Sequence, residues 1–205
     1  MRMGIEAGRG GDVGFALAGP FALPRAGGMP RARLTYTQIA GERRASATVT
    51  STGRQAFVTV QGRTRRLPAV QARRLRIRAG GAAERLRIGS WVREPRLADG
   101  PALDGADTQR LTARLDVRQA ARDLRRVAGA LGPGEGGALG ASGDELERAV
   151  RSSAVELLTG KEDRLLRRLR IGIGLRLPGG REARVRFVMT VRRANQPVRI
   201  TAPHG

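Results

Sequence analysis

Apolar and polar positions alternate along most of the chain, with the period of a β-strand that buries one face. The clearest case is segment 165–177, where every second residue from Leu169 onward is Leu or Ile and the residues between them are Arg or Gly. Segment 182–193 alternates again after Pro178-Gly179-Gly180, which are turn-forming residues. The two segments predict a long β-hairpin.

Shorter segments predict further strands, and glycine-rich stretches separate several of them. In segment 42–51 Ala and Val alternate with Ser and Thr, and in segment 108–116 Leu and Ala alternate with Arg and Thr. The glycines at 8–11 and the pair Gly53-Arg54 suit tight connections. Besides the long hairpin, the predicted strands are 2–7, 12–18, 33–39, 42–51, 55–60 and 108–116.

Helical periodicity is confined to a few segments. Segment 117–131 has Val117 and Leu124 on an apolar face and arginines on the other face, which predicts an amphipathic helix. Asp116 fits as its N-cap and Gly132-Pro133 as its end.

Two further helices are predicted from their first residues. A capping box at 142–145 opens one that reaches about Arg151, and Pro68 opens a short one near 69–77. The glycine-rich segment 132–143 predicts a loop. Strands predominate without a regular βαβ order, so the predicted fold class is α+β: a strongly curved antiparallel sheet in one domain, with helices covering its apolar face.

The net charge of +21 is extreme and comes almost entirely from arginine, because Lys161 is the only lysine among 39 basic residues. The arginines recur singly or in pairs along nearly every segment, which favours solvated outer faces over a dedicated patch. Attraction to an anionic surface is the next interpretation. Nucleic-acid binding is disfavoured, because the six aromatic residues include no adjacent pair for stacking bases.

The residues that carry chemistry are scarce. Cysteine is absent and His204 is the only histidine, one residue from the end, so neither a zinc site nor a histidine acid/base pair is expected. The carboxylate pairs Asp144-Glu145 and Glu162-Asp163 suit a helix start and a turn. The glycines at 8–14 and Gly160-Lys161 match neither dinucleotide nor P-loop spacing. We therefore predict a binding protein that is not an enzyme and has no cofactor or metal.

Several motifs, taken in order, resemble a family of actinobacterial cell-envelope lipoproteins with a LolA-like fold, of the LppX and LprG type. The resemblance covers nearly the whole chain. The motifs are FALAGPF (15–21), STG (51–53) before FV (57–58) and QG (61–62), WVREP (91–95), DGADT (104–108) before LDV (115–117), VELLTGKEDR (155–164) before LRRL (166–169), and ANQP (194–197) before ITAP (200–203).

The resemblance implies a curved antiparallel half-barrel, helices on its concave side and an apolar cavity between them. It implies an extracytoplasmic carrier of lipids or lipid-linked glycans. Members usually start with a signal peptide, a lipidated cysteine and an N-terminal helix, whereas this chain begins inside the first strand region. We therefore expect the anchor and first helix to be missing here.

The candidate lining of such a cavity is the apolar set on the predicted strands together with the single tryptophan, which we expect in the core or the cavity wall. An equally available interpretation is that these residues fill a solid core. The functional alternative is a basic scaffold that binds nucleic acid or an anionic surface. The partners expected are a lipid or acyl chain and an anionic membrane surface, with a monomeric protein. The candidate lining residues are Val58, Val60, Trp91, Leu111, Leu115, Leu169, Ile171, Ile173, Val185 and Phe187.

Overall fold

The computed structural model describes residues 2–7, 13–22, 29–68, 88–120, 122–123, 148–176 and 178–203. Residues 117–120, 122–123 and 148–149 are α-helical, and Ile88–Trp91 and Pro178–Gly180 form 3₁₀ turns. The strands are β1 (Arg2–Ala7), β2 (Val13–Ala18), β3 (Phe21–Ala22), β4 (Arg31–Ala40), β5 (Arg43–Thr52), β6 (Ala56–Val60), β7 (Arg63–Arg66), β8 (Val92–Leu103), β9 (Ala106–Leu115), β10 (Val150–Gly160), β11 (Leu166–Arg176) and β12 (Glu182–Thr190).

The strands form one curved, open sheet in the order β7-β6-β5-β4-β2-β1-β12-β11-β10-β9-β8, and the short β3 pairs with β4. Every ladder among them is antiparallel. We call β1–β7 the first arm and β8–β12 the second arm. Within each arm the chain mostly turns back on its sequence neighbour, and the ladder between β1 and β12 joins the two arms.

The registers place apolar residues opposite one another from strand to strand. Residues directly opposite in an antiparallel ladder point to the same side of the sheet. In the second arm, Ile171 pairs with both Phe187 and Val155. In the first arm, Val49 pairs with both Leu34 and Val58. These residues define one side of the sheet, which we call the apolar face.

The opposite side of the sheet, the polar face, carries Arg, Thr and Ser at the alternate positions. Arg184 and Arg186 of β12 lie there, opposite Gly174 and Gly172 of β11. Thr35 and Thr48 also pair on this face, and their hydroxyl oxygens are 2.9 Å apart. Period-2 patterning thus assigns each side chain to one face, but burial does not follow the faces throughout, since Thr50 and Leu158 lie on the polar face by register and are no more than 2% exposed.

Most predicted strands are confirmed, and the fold class is confirmed as a curved antiparallel sheet with little helix. The long hairpin forms with Arg176 opposite Glu182 across Pro178–Gly180. The Gly53-Arg54 connection closes with a hydrogen bond of 3.0 Å from the Thr52 N–H to the Gln55 carbonyl.

Some expectations are corrected by the structure. The helix expected to reach about Arg151 does not, because β10 begins at Val150 and pairs with Leu175 of β11. Periodicity also missed β3, β7, β8 and β10. β8 contains Pro95 and Pro101 and two register shifts, which obscure its alternation.

Other expectations fall outside the described residues. These are the helix near 69–77, most of the helices at 117–131 and 142–151, the loop 132–143, the turn at 8–11, Asp144-Glu145 and His204. Among the residues that are described, no helix is long and apolar enough to span a bilayer.

Packing between the edge strand β8 and its neighbours gives a test of this fold. A Cβ atom at Gly100 would lie 2.3 Å from Thr108 Oγ1 and 3.0 Å from Leu158 Cδ2. Both side chains are fully buried, and Thr108 Oγ1 donates to the Pro101 carbonyl at 2.7 Å. We expect Gly100→Ala to lower the free energy of unfolding by about 1–3 kcal/mol, measured by urea denaturation.

The matched control is Gly172→Ala in β11, where a Cβ would meet no atom within 4 Å. It should leave stability unchanged or raise it by roughly 0.5–1 kcal/mol, because glycine inside a strand costs backbone entropy. Equal stability of the two variants would contradict the packing described around Gly100.

Candidate functional site

The apolar face of the second arm is covered by the helical segment that follows β9. Buried residues from the sheet and from this segment form one cluster, and partly buried residues from β9 to β12 pack around it. The buried members are Trp91, Leu115, Val117, Ala120, Val155 and Leu169, each no more than 8% exposed. The apolar face is therefore a packed core around this cluster, whereas Leu97 on the edge strand β8, opposite Leu111, is 65% exposed.

Asp116 fixes the start of the helical segment. Its Oδ1 accepts the Gln119 N–H at 2.9 Å, and its carbonyl accepts the Ala120 N–H at 2.9 Å. Its Oδ2 accepts hydrogen bonds from the Arg93 guanidinium, with Nε at 3.0 Å. The predicted N-cap is therefore confirmed. The Gln119 amide and then Arg93 hold the pKa of Asp116 below its ordinary value.

A buried hydrogen bond ties the helical segment to the strand edge. The indole Nε1–H of Trp91 donates to Asp123 Oδ2 at 2.7 Å, and the Gln119 side-chain amide donates to Asp123 Oδ1 at 3.2 Å. Trp91 is 6% exposed and Asp123 is 1% exposed. Trp91 is thus a core residue whose hydrogen bond fixes the helical segment against the sheet.

Ser153 hydrogen-bonds the backbone of Leu115, the last residue of β9 before the helical segment. Its hydroxyl accepts the Leu115 N–H at 3.2 Å and donates to the Leu115 carbonyl at 3.1 Å. The β9–β10 ladder ends at the pair of Ala113 with Val155. Beyond that pair, the Ser153 hydroxyl replaces the backbone of β10 as the hydrogen-bond partner of Leu115. Both polar groups of Leu115 are satisfied as the chain leaves the sheet.

The apolar face of the first arm is more accessible. Tyr36, Val49 and Val60, on β4, β5 and β6, are 39%, 38% and 45% exposed. Cross-strand pairs connect them, since Tyr36 pairs with Ala47, and Ala47 pairs with Val60. Tyr36 also contacts Phe15 of β2, with ring centroids 5.8 Å apart. We call Leu34, Tyr36, Ala47, Val49, Val58 and Val60 the open patch.

The structure distributes the predicted lining residues between these two regions. Trp91, Leu115 and Leu169 are buried members of the core cluster, and Ile171, Ile173 and Phe187 pack against it. Leu111 and Val185 lie on the same face by register. Val58 and Val60 belong to the open patch in the other arm.

Sequence reasoning missed Leu34, Tyr36, Ala47 and Val49 as site candidates. The alternation in segments 33–39 and 42–51 does mark them as apolar-face positions. Only the cross-strand registers show that they adjoin Val58 and Val60.

The remaining motifs are engaged in local contacts. Glu162-Asp163 lies in the β10–β11 turn, as predicted, where Asp163 Oδ1 accepts the Leu165 N–H at 3.0 Å. Lys161 Nζ lies 2.7 Å from an Asp99 carboxylate oxygen, and this contact lowers the pKa of Asp99. Over the described residues, no group of three or more His, Cys, Asp or Glu side chains could hold a metal ion.

Two solved structures are similar to this chain. The crystal structure of LprF from Mycobacterium bovis aligns with a TM-score of 0.46 and 14% identity, covering 100% of this chain and 89% of that one. The crystal structure of the lipoprotein LppX from Mycobacterium tuberculosis aligns with a TM-score of 0.38 and 13% identity, covering 92% and 88%. No family model and no curated protein matches the chain. At 13–14% identity and TM-scores of 0.38–0.46, these likenesses assign neither a family, a ligand nor an activity to this chain.

The Asp116 contacts predict a pH-dependent contribution to stability. The folded-state pKa of Asp116 is depressed, so its contribution is complete above the unfolded pKa of about 3.9 and is lost as the pH falls through the folded value. We expect Asp116→Ala to lower the free energy of unfolding by about 1 kcal/mol at pH 7. Urea denaturation should show the deficit shrinking as the pH is lowered below about 4.

Asp116→Asn is the control, because asparagine caps a helix but does not titrate. Its deficit at pH 7 should be smaller than that of Asp116→Ala. An Asp116→Ala deficit that stayed constant from pH 7 down to about pH 2.5, well below the ordinary aspartate pKa of about 3.9 at which the unfolded chain takes up its proton, would show that the charge plays no part.

Proposed function

We propose that this protein is a non-enzymatic binding protein for lipids or lipid conjugates, and that an acyl chain lies against the open patch. The observation that supports this is the contrast within one face of the sheet. Leu169 is 4% exposed in the second arm, whereas Val60 is 45% exposed in the first. The same in-register apolar surface is thus packed around the core cluster of β9 to β12 and accessible on β4 to β6.

An acyl chain suits a surface of this shape. It is long, flexible and unbranched, and it needs contact along a row of apolar side chains without any directed hydrogen bond. Each buried methylene contributes on the order of 0.8 kcal/mol, so ten of them would give about 8 kcal/mol before ordering costs. The row from Leu34 through Val49 to Val58 crosses three strands, which lie about 4.8 Å apart.

We also propose that the protein acts in a bacterial cell envelope and that it carries lipids there. The sequence motifs resemble envelope lipoproteins that move lipids between membranes, so carriage within a bacterial cell envelope fits this binding mode. A protein that only holds and releases a lipid requires no catalytic group. Attraction to an anionic membrane surface and a monomeric state remain predictions from the sequence.

A fluorescent acyl probe tests the open patch. Stearic acid that carries an anthroyloxy group brightens when it enters an apolar site, so a titration gives its Kd. We expect Val49→Asn to weaken binding about tenfold or more, because it replaces a central apolar contact with an amide. The matched control is Ser46→Asn, on the exposed polar face of the same strand, which should bind like the wild type.

Both variants should retain the wild-type urea midpoint, since Val49 is already 38% exposed and Ser46 is exposed. A wild-type protein that does not bind the probe would count against lipid binding. Equal affinity of Val49→Asn and Ser46→Asn would place the probe elsewhere on the molecule.

A further inference from the structure

Two arginines interrupt the apolar face at the edge of the first arm. Among the described residues β7 is the last strand on that side, and its pairing with β6 sets Arg63 opposite Val60 and Arg65 opposite Val58. The register therefore puts both arginines on the same side of the sheet as the open patch. Arg66, in contrast, pairs with Phe57 and lies on the polar face.

The two guanidinium groups are placed to act together. Residues two apart on a strand are about 6.7 Å apart along it and project to the same side. Opposite residues in an antiparallel pair have Cβ atoms about 5 Å apart, so each arginine stem adjoins a valine of the open patch. Arg63 and Arg65 are both exposed. The apolar row therefore ends at a pair of positive charges.

No carboxylate on the neighbouring strands neutralises this pair. Strands β4 to β7 contain no Asp or Glu, and the nearest acid that precedes the pair in sequence is Glu42, in the β4–β5 turn. Within the described part of the chain, Arg63 and Arg65 form no salt bridge, whereas Arg93, Arg167 and Arg170 do. The arginines on these four strands are Arg31, Arg33, Arg43, Arg44, Arg63, Arg65 and Arg66.

We propose that Arg63 and Arg65 bind the anionic head group, a carboxylate or a phosphate, of an amphiphile whose acyl chain lies on the open patch. This rests on the proposed function and adds the chemical class of the ligand. Guanidinium groups suit such anions because they offer paired N–H donors in a planar fork. A charge that points inward at a sheet edge also hinders pairing with another chain, but a charge of either sign serves that purpose.

Two probes that differ only in head-group charge test the proposal. They are the anthroyloxy stearic acid and its methyl ester, titrated at low ionic strength and alkaline pH, where the acid is ionised. The wild type should bind the acid about tenfold more tightly than the ester, which corresponds to about 1.4 kcal/mol. Added NaCl should narrow this preference. Inorganic phosphate alone should not displace the acid, because it lacks the acyl chain.

Charge reversal on the two faces provides a matched comparison. The double variant Arg63→Glu/Arg65→Glu keeps a charged edge but should weaken acid binding about tenfold and change ester binding less than about twofold. The control Arg44→Glu/Arg66→Glu makes the same change in net charge on the polar face, where both residues are exposed. It should preserve the preference for the acid. Arg63→Gln/Arg65→Gln should give an intermediate loss.

The outcomes separate this inference from the proposed function. Equal binding of acid and ester by the wild type, or equal loss of acid binding in the two charge-reversed variants, would overturn the head-group role while leaving acyl-chain binding intact. Displacement of the acid by inorganic phosphate would show a site for free anions and would also overturn it. Failure of both probes to bind the wild type would remove the proposed function together with the inference.

Discussion

The in-register pairing of apolar residues across the sheet is the constraint on which the rest of the structure depends. Side chains alternate between faces with a period of two, so a slip of one residue would move a whole strand's apolar set into water. In β10 the register shifts near Val150 and Leu158, at the two ends of the ladder with β11. Between these shifts, Val155 and Leu157 stay opposite Ile171 and Leu169, so the apolar pairs are kept. The hydrophobic effect thus selects one alignment for each strand.

Packing of the apolar face differs between the core cluster of the second arm and the open patch of the first arm. At Leu115 the chain leaves the sheet, and three polar side chains, those of Asp116, Ser153 and Asp123, hold the following residues against it. The first arm keeps its apolar side chains at 38–45% exposure at Tyr36, Val49 and Val60. A surface that must accept and release a ligand has to remain less fully packed than one that only stabilises the fold.

Much of the sheet could be predicted because period-2 alternation shows directly which residues of a strand share a face. The N-cap at Asp116 was predictable for a similar reason, since capping is local chemistry. β8 was not predictable, because prolines and bulges are tolerated at a sheet edge and erase the alternation there. Of the six residues of the open patch, only Val58 and Val60 were predicted as site residues. Alternation shows which residues share a face within a strand, but the neighbours of Val49 depend on pairing and its exposure depends on what covers it.

The position of the ladder between β1 and β12 has a consequence for how the chain folds. Each arm is built mainly from hairpins, whose short loops close at small entropic cost. The ladder that joins the arms pairs Arg2–Ala7 with residues near the other end of the chain, from Val185 to Thr190. Contacts so distant in sequence form late, because the entropy of the long intervening chain must be lost before these contacts can stabilise the fold. During synthesis, β1 therefore lacks its second neighbour until β12 has been made.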